Sequence, residues 1–557
     1  MKKQVISDGR VKPKKDIWTV VSIAVLCLFG LFMIYPLAML LKNAVVNQEN
    51  KFTLEHFFKF FSKSYYFGTI ANSFKVSLSA TILALLLGIP LAYFFNMYEI
   101  KGAKALQVII ILSSMSAPFI GAYSWILLLG RNGLITNLVK NLTGIKLPNI
   151  YGFGGIMLVL CLQLYPLVFL YVSGALKNLD STLLEASENM GCSGAKRFFK
   201  LVIPLCMPTI IAASLMVFMR AFADFGTPLF IGEGYRTFPV EIYNSFMSET
   251  GGDTHFACAV AIIGIVITTV IFLFQRYVNG KYKFTMNALH PIKSKKIHVI
   301  KSVLVHAFCY LVVFIAYAPQ MYVIYTSFKN TSGKLFTSGY SLKSYTDAFS
   351  KLQNAIPNTF LIGGSALIMI IILSVLIAYL VVRRSNGINK TIDVLSMIPY
   401  VIPGAVVGIS LVIAFNKKPM VLVGTATIMI IALIIRRCSY TIRSSVATLQ
   451  QIPISIEEAA ISLGCSKMKA FFKVTIPMMS NGIISGALLS WIAIITELSS
   501  GVILYNYRTT TLTIQIYTYV SRGNYGIAAA MATILTVMTV VTLIIFMVFS
   551  KDKKITF

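Results

Sequence analysis

Glu185-Ala186-Ser187, Gly191-Cys192-Ser193, Lys196, Phe198-Phe199-Lys200 and Ile203-Pro204 return 273 residues later as Glu458-Ala459-Ala460, Gly464-Cys465-Ser466, Lys469, Phe471-Phe472-Lys473 and Ile476-Pro477, with no insertion or deletion. Both copies are polar and helix-compatible, and each lies between long apolar runs. Two equivalent polar elements on the two halves of one chain imply a partner with two equivalent faces.

The flanking runs set the class. Charged residues make up 12% of the chain and hydrophobic ones 57%, with a mean hydropathy of +0.78; in soluble domains charged residues alone reach about a quarter. Apolar runs of the ~20 residues needed to cross a bilayer as helix start near Ile17, Thr69, Ala105, Phe153, Leu205 and Ala257. They start again near Ser302, Pro357, Ile392, Pro419, Met478 and Ile527, which makes twelve. The short alternating segments of a transmembrane barrel are not visible. The sequence therefore predicts an all-α polytopic membrane protein.

The run from Ile17 to Leu41 is too long for a signal-peptide core and follows a tail carrying Arg10, Lys12, Lys14 and Lys15. It reads as an uncleaved anchor with the tail inside. Twelve spans then place both termini in the cytoplasm and the larger share of the 49 Lys and Arg on that side, as the positive-inside rule requires. The net charge of +30 reads as topology and contact with anionic lipid, not as a nucleic-acid footprint. None of the eight cysteines forms a CxxC and the five histidines lack ligand spacing, so neither a disulfide framework nor a metal site is expected.

The repeat extends further. Asn72-Ser73-Phe74 and Ala92-Tyr93 match Asn358-Thr359-Phe360 and Ala378-Tyr379, and Thr237 to Tyr243 matches Thr511 to Tyr517. Residues 1–295 and 296–557 thus read as two six-span modules, joined by the basic stretch from Gln275 to Lys301. An even number of spans per module makes the repeats parallel and puts a pathway between them.

In the first copy, residues 181–204, a helix capped by Ser181 is expected, then a break at Gly191 and a second helical run from Ala195 to Val202. In the second copy, residues 454–477, Ser455 is the expected cap and Gly464 the break. Phe198-Phe199 and Phe471-Phe472 could insert into a partner's groove or pack back on the chain's own helix ends. Their recurrence favours docking.

Here the chain resembles a family. Glu-Ala-Ala, a glycine some six residues on and a later Ile-Pro form the signature of permease subunits of bacterial binding-protein-dependent ABC importers. The resemblance implies a type I importer fold and assigns ATPase coupling to Glu185, Ala186, Gly191, Phe198, Phe199 and Pro204, and to Glu458, Ala459, Gly464, Phe471, Phe472 and Pro477; Ser187 departs from the usual alanine. Two copies in one chain resemble the fused permeases of ferric-iron, thiamine and aminophosphonate importers. No GxxxxGK[ST] loop is present. The resemblance therefore implies a transport subunit that is not itself an enzyme, with ATP and Mg on two copies of a separate ATPase. It also implies an extracytoplasmic solute-binding protein and a place in the bacterial inner membrane.

Asp224 maps onto Glu497 at the same offset, and paired intramembrane carboxylates suggest a pathway lining near its outer end. Arg220, four residues before Asp224, could neutralise it. Glu497 has Ala493 there and no local partner. The segments from Asp224 to Pro228 and from Glu497 to Ser500 resemble those of ferric-iron permeases, which makes iron the leading substrate. 2-Aminoethylphosphonate, thiamine and polyamine remain alternatives, and an ion-coupled carrier using Asp224 and Glu497 is the rival of another class.

Overall fold

The computed structural model describes residues 17–549 except 48, 116–117, 248–252, 282–289, 291, 293, 333–334 and 385. The tail with Arg10, Lys12, Lys14 and Lys15 and part of the linker lie outside the described residues. Among those described, nine helices are long and apolar enough to cross a membrane, or ten if one bent pair counts as a span.

Three of the twelve expected spans differ, each for a local reason. The run near Ala105 is divided into Ala103–Met115 and Pro118–Leu129. The run near Ile392 bends by 111° between Gly387–Val401 and Gly404–Phe415, where Pro403 lacks an N–H and holds Ile402 extended. The span expected near Pro419 starts at Ala426, and Ala426–Gln451 carries Arg436, Arg437 and Arg443 in its length. It still fills the place that Phe153–Lys177 takes in the first half.

Each half is built on the same three-helix core. Ser64–Met97 packs on Phe153–Lys177 and Ile203–Phe222, as Ala355–Arg383 packs on Ala426–Gln451 and Ile476–Ile495. Close approach in the second core needs glycine: a Cβ on Gly486 would stand 2.6 Å from Thr441 Cα, and one on Gly363 3.0 Å from Ile494 Cγ2. Gly364 faces open space, so only one of those two neighbours is a packing point.

The repeated Asn-Ser/Thr motif now has a purpose. Asn72 Nδ2 donates to the Arg236 carbonyl at 3.0 Å, and the Phe238 amide donates to Ser73 Oγ at 2.8 Å. Asn358 Nδ2 donates to the Arg508 carbonyl at 2.7 Å, and the Leu512 amide donates to Thr359 Oγ1 at 2.9 Å. In both halves the long helix thereby accepts one orphan amide at the start of Phe238–Met247 or Leu512–Ser521 and donates to a carbonyl just before it.

The modules are not separate bodies. Tyr35–Ala44 of the first packs on Gly404–Phe415 of the second, and Val299–Thr326 of the second packs on Ala103–Met115 and Pro118–Leu129 of the first. Trp18 packs at a tilt on Tyr379 at 4.4 Å and edge-on against Phe471 at 5.0 Å between ring centroids. The expected boundary near 295 is itself pinned to the first module, because the Lys295 amide donates to the Met97 carbonyl at 2.9 Å.

One element departs from the all-α reading. Lys329–Ser332 and Leu335–Tyr340 pair as a small antiparallel sheet in the loop after Val299–Thr326.

Candidate functional site

The two coupling segments superimpose in sequence register, element by element. Helices Ser181–Asn189 and Ile454–Ser462 are each nine residues long. Each is followed by a glycine at positive φ, Gly191 at +73° and Gly464 at +90°, where a Cβ would be strained. Five-residue π-helical turns at Phe198–Val202 and Phe471–Thr475 then lead into Ile203–Phe222 and Ile476–Ile495.

The caps are not the expected serines. Asp180 caps the first helix by accepting from the Thr182 amide at 3.0 Å, and Pro453 stands at the cap position of the second without a side-chain bond. A carboxylate one residue earlier is the stronger acceptor, and proline's fixed φ suits a helix start.

Each phenylalanine pair divides. Phe198 lies on Tyr93 and Phe471 on Tyr379, both at 4.8 Å between centroids, so the repeated Ala-Tyr motif is the seat of the repeated aromatic. Phe471 is buried and unavailable to a partner. Phe199 and Phe472 point outward, 64% and 60% exposed. Glu185, Ala186 and Gly191 are exposed, as are Glu458, Ala459, Gly464 and the two prolines, Pro204 and Pro477.

The sequence reading missed two further residues. Met190 and Leu463 occupy equivalent positions just before the glycines and are 85% and 88% exposed. The side chains differ, so a search for identical residues passes over them. Together with Phe199 and Phe472 they give each segment an apolar surface that the chain itself leaves uncovered.

The anchoring of the two helices is not identical. The second is tied to the end of Ala355–Arg383: Arg383 Nε donates to Glu457 Oε1 at 2.9 Å and Arg383 Nη2 donates to the Ile452 carbonyl at 2.7 Å. Both members of the pair are buried. At the equivalent place the first copy has Leu184, buried in its apolar core. Glu457→Ala is therefore expected to cost about 3–5 kcal/mol by stranding Arg383, whereas Glu457→Leu with Arg383→Met, which imitates the first copy, restores most of it. Thermal unfolding of the two variants in detergent checks the difference.

Inside the membrane, the carboxylates play one structural role. The Thr227 amide donates to Asp224 Oδ2 at 2.9 Å, and the Ser500 amide donates to Glu497 Oε1 at 3.1 Å. Each acid thus closes the turn that opens a short helix, Gly226–Ile231 or Gly501–Leu504. This local requirement explains their equivalent positions.

Their charge environments differ. Glu497 does have partners, but not local ones: Arg436 and Arg437, near the middle of Ala426–Gln451, donate to its two oxygens. Oε1 also accepts from Ser499 Oγ at 2.8 Å and Ser500 Oγ at 3.1 Å. The contact buries Glu497 among the helices of the second module. Gly404 makes room, since a Cβ there would collide with Arg436 Nη1 and Ser499 Oγ.

Arg220 does not pair with Asp224; among the described residues neither has an ion-pair partner. The Arg220 guanidinium instead lies beside Tyr400, Tyr440 and Tyr171, crossing from the first module to the second. Of the three pathway candidates, Arg220 and Glu497 converge with Arg436 and Arg437 around Tyr440. Arg436-Arg437 inside an apolar run is the sequence signal that could have found this site. Outward of it, Phe225 and Leu498 share one apolar cluster with residues of both halves, and the equivalent Tyr243 and Tyr517 meet side chain to side chain. Among the described residues no group of three His, Cys, Asp or Glu could hold a metal ion.

Two matched polar segments and a charged interior between repeated modules accompany membership of a transport family: the chain belongs to the binding-protein-dependent transport system inner membrane components, whose model matches residues 84–284 and 370–555. It is 27% identical over 525 residues to the ferric transport system permease protein FbpB of Actinobacillus pleuropneumoniae, covering 92% of this chain and 75% of that one. It is 25% identical to the putative ferric transport system permease protein FbpB 1 of Haemophilus influenzae, over 86% of this chain and 77% of the relative. A putative 2-aminoethylphosphonate transport system permease protein, PhnU of Salmonella typhimurium, is 23% identical over 47% of this chain and 91% of its own length.

Proposed function

We propose that this chain is the membrane permease of an ATP-driven importer of ferric iron. The observation that carries the energy source is the pair of matched coupling segments, each with an exposed apolar surface beside a fixed glycine turn. They suit two copies of an ATPase subunit that hold ATP and Mg; the chain itself performs no hydrolysis. The substrate is supported by the ferric relatives, which align across both modules and not one alone.

In this reading both termini and both coupling segments are cytoplasmic, and the modules comprise residues 1–295 and 296–557. Closure of the ATPase pair draws Ser181–Asn189 and Ile454–Ser462 together. The movement passes through Phe198 and Phe471 to Tyr93 and Tyr379 at the ends of the long helices. Arg220, Asp224 and Glu497 lie along the route between modules. A solute-binding protein delivers the substrate at the opposite face, where Tyr243 and Tyr517 meet.

Glu497 is occupied by Arg436, Arg437 and the Ser500 amide, and Asp224 Oδ2 by the Thr227 amide, which favours structural roles over ion coupling. The similarity to PhnU keeps 2-aminoethylphosphonate as a second reading. Uptake into vesicles holding the permease, its ATPase and its solute-binding protein separates them. Radioiron is expected to accumulate with ATP and to stop without it; accumulation of labelled 2-aminoethylphosphonate with no iron would overturn the ferric reading.

A further inference from the structure

The charged site between the modules has more positive charge than its acids neutralise. Arg436 and Arg437 share the single carboxylate of Glu497, and Arg220 has no ion-pair partner among the described residues. Three guanidinium groups against one carboxylate leave two positive charges in the interior of a membrane protein. Uncompensated charge at such depth is costly and marks a place where something of opposite sign is received.

Arg220 lies beside tyrosines of both halves and is solvent-exposed, so its guanidinium is open to a ligand. The hydroxyls of Tyr400 and Tyr440, whose rings meet at 5.8 Å, lie beside it from the second module. Arg436 Nε and Arg437 Nε are buried without a partner. A guanidinium fork with phenolic hydroxyls is a donor set for phosphate or carboxylate oxygens. Glu497 is committed to the arginines instead, because Oε1 takes four donors, Arg436 among them, and Oε2 accepts from Arg437. A bare trivalent ion meets two net positive charges at this seat.

We infer that the pathway carries anions, and that iron crosses only inside an oxyanion complex of net negative charge, its phosphate or carboxylate oxygens seated against Arg220, Tyr400 and Tyr440. The inference rests on the ferric reading for its cargo and on the charge count for its sign. No bond is broken at the seat; the metal keeps its oxygen ligands through the passage.

The test uses the complete transporter in proteoliposomes, with ATP inside the ATPase compartment and radioiron offered in two arms. One arm supplies it as the complex with labelled phosphate, the other as the complex with labelled citrate. At least one labelled anion is expected to enter with each iron ion in one arm or both, which also identifies the source of the oxygens. Arg220→Gln is expected to lower both labels together by about tenfold or more, the loss of a charge-assisted contact, and Arg220→Lys to recover part of it. Iron entering with neither label, or at an unchanged rate in Arg220→Gln, would overturn the inference. Entry of labelled 2-aminoethylphosphonate that depends on Arg220, with no iron in either arm, would sink the ferric reading and sustain the anion seat. The co-transport ratio in the unaltered protein does not depend on how any variant folds.

Discussion

Glu497→Ala is expected to destabilise the folded chain by about 3–5 kcal/mol, the cost of leaving a buried charge without its partner. Here the loss is doubled in kind, because one side chain neutralises both Arg436 and Arg437 and also accepts from the Ser500 amide. Folded proteins have only about 5–15 kcal/mol in hand, so the variant should unfold at a much lower temperature in detergent and give little monodisperse protein. Glu497→Gln keeps an acceptor for Ser500 and should fall between. Replacing Arg436, Arg437 and Glu497 together by Met should recover much of the stability while abolishing uptake, since an apolar trio of similar volume has no desolvation penalty. If Glu497→Ala unfolds with the parent, the three-way contact contributes little.

Met190→Asp combined with Leu463→Asp should leave the permease folded and abolish ATP-dependent uptake. At 85% and 88% exposure neither side chain supports its own chain, so the unfolding temperature should not move. Covering an apolar side chain of this size at an interface contributes about 1.5–3 kcal/mol. Losing two and burying two carboxylates instead should weaken ATPase association by about 100-fold or more. Co-purification of the ATPase subunits reads the effect directly. Either single variant should leave partial association through the other segment, whereas unchanged association in the double variant would exclude this surface from docking.

The division between what was legible and what was not follows from the physics of each signal. Repetition carried the fold: the 273-residue register places both coupling helices, both positive-φ glycines and both π-helical turns at matching positions. It also joined Asp224 to Glu497, but not the helix-opening turns that each closes, because identity of position does not show which backbone amide a carboxylate meets. Partners in space escaped the reading altogether. Arg436 and Arg437 lie some sixty residues from Glu497 along the chain, and no local pattern links them. The count of twelve spans failed where composition is interrupted, at Pro403 and along the arginine-bearing helix Ala426–Gln451. The outward and inward members of Phe198-Phe199 were indistinguishable as letters; Tyr93 and Tyr379 decide which one turns in.

The clasp of Trp18 on Tyr379 and Phe471 has a consequence for biosynthesis. Phe471 follows Trp18 by 453 residues, and a ribosome adds about 5–20 residues per second. The first helix therefore waits roughly 20–90 s in the bilayer before its aromatic seat exists. Until then its face can rest only on lipid or on a cellular chaperone, and the early half of the nascent chain remains open to wrong neighbours. Maturation of this protein is set by the arrival of its last third, whatever the speed at which its first helices insert.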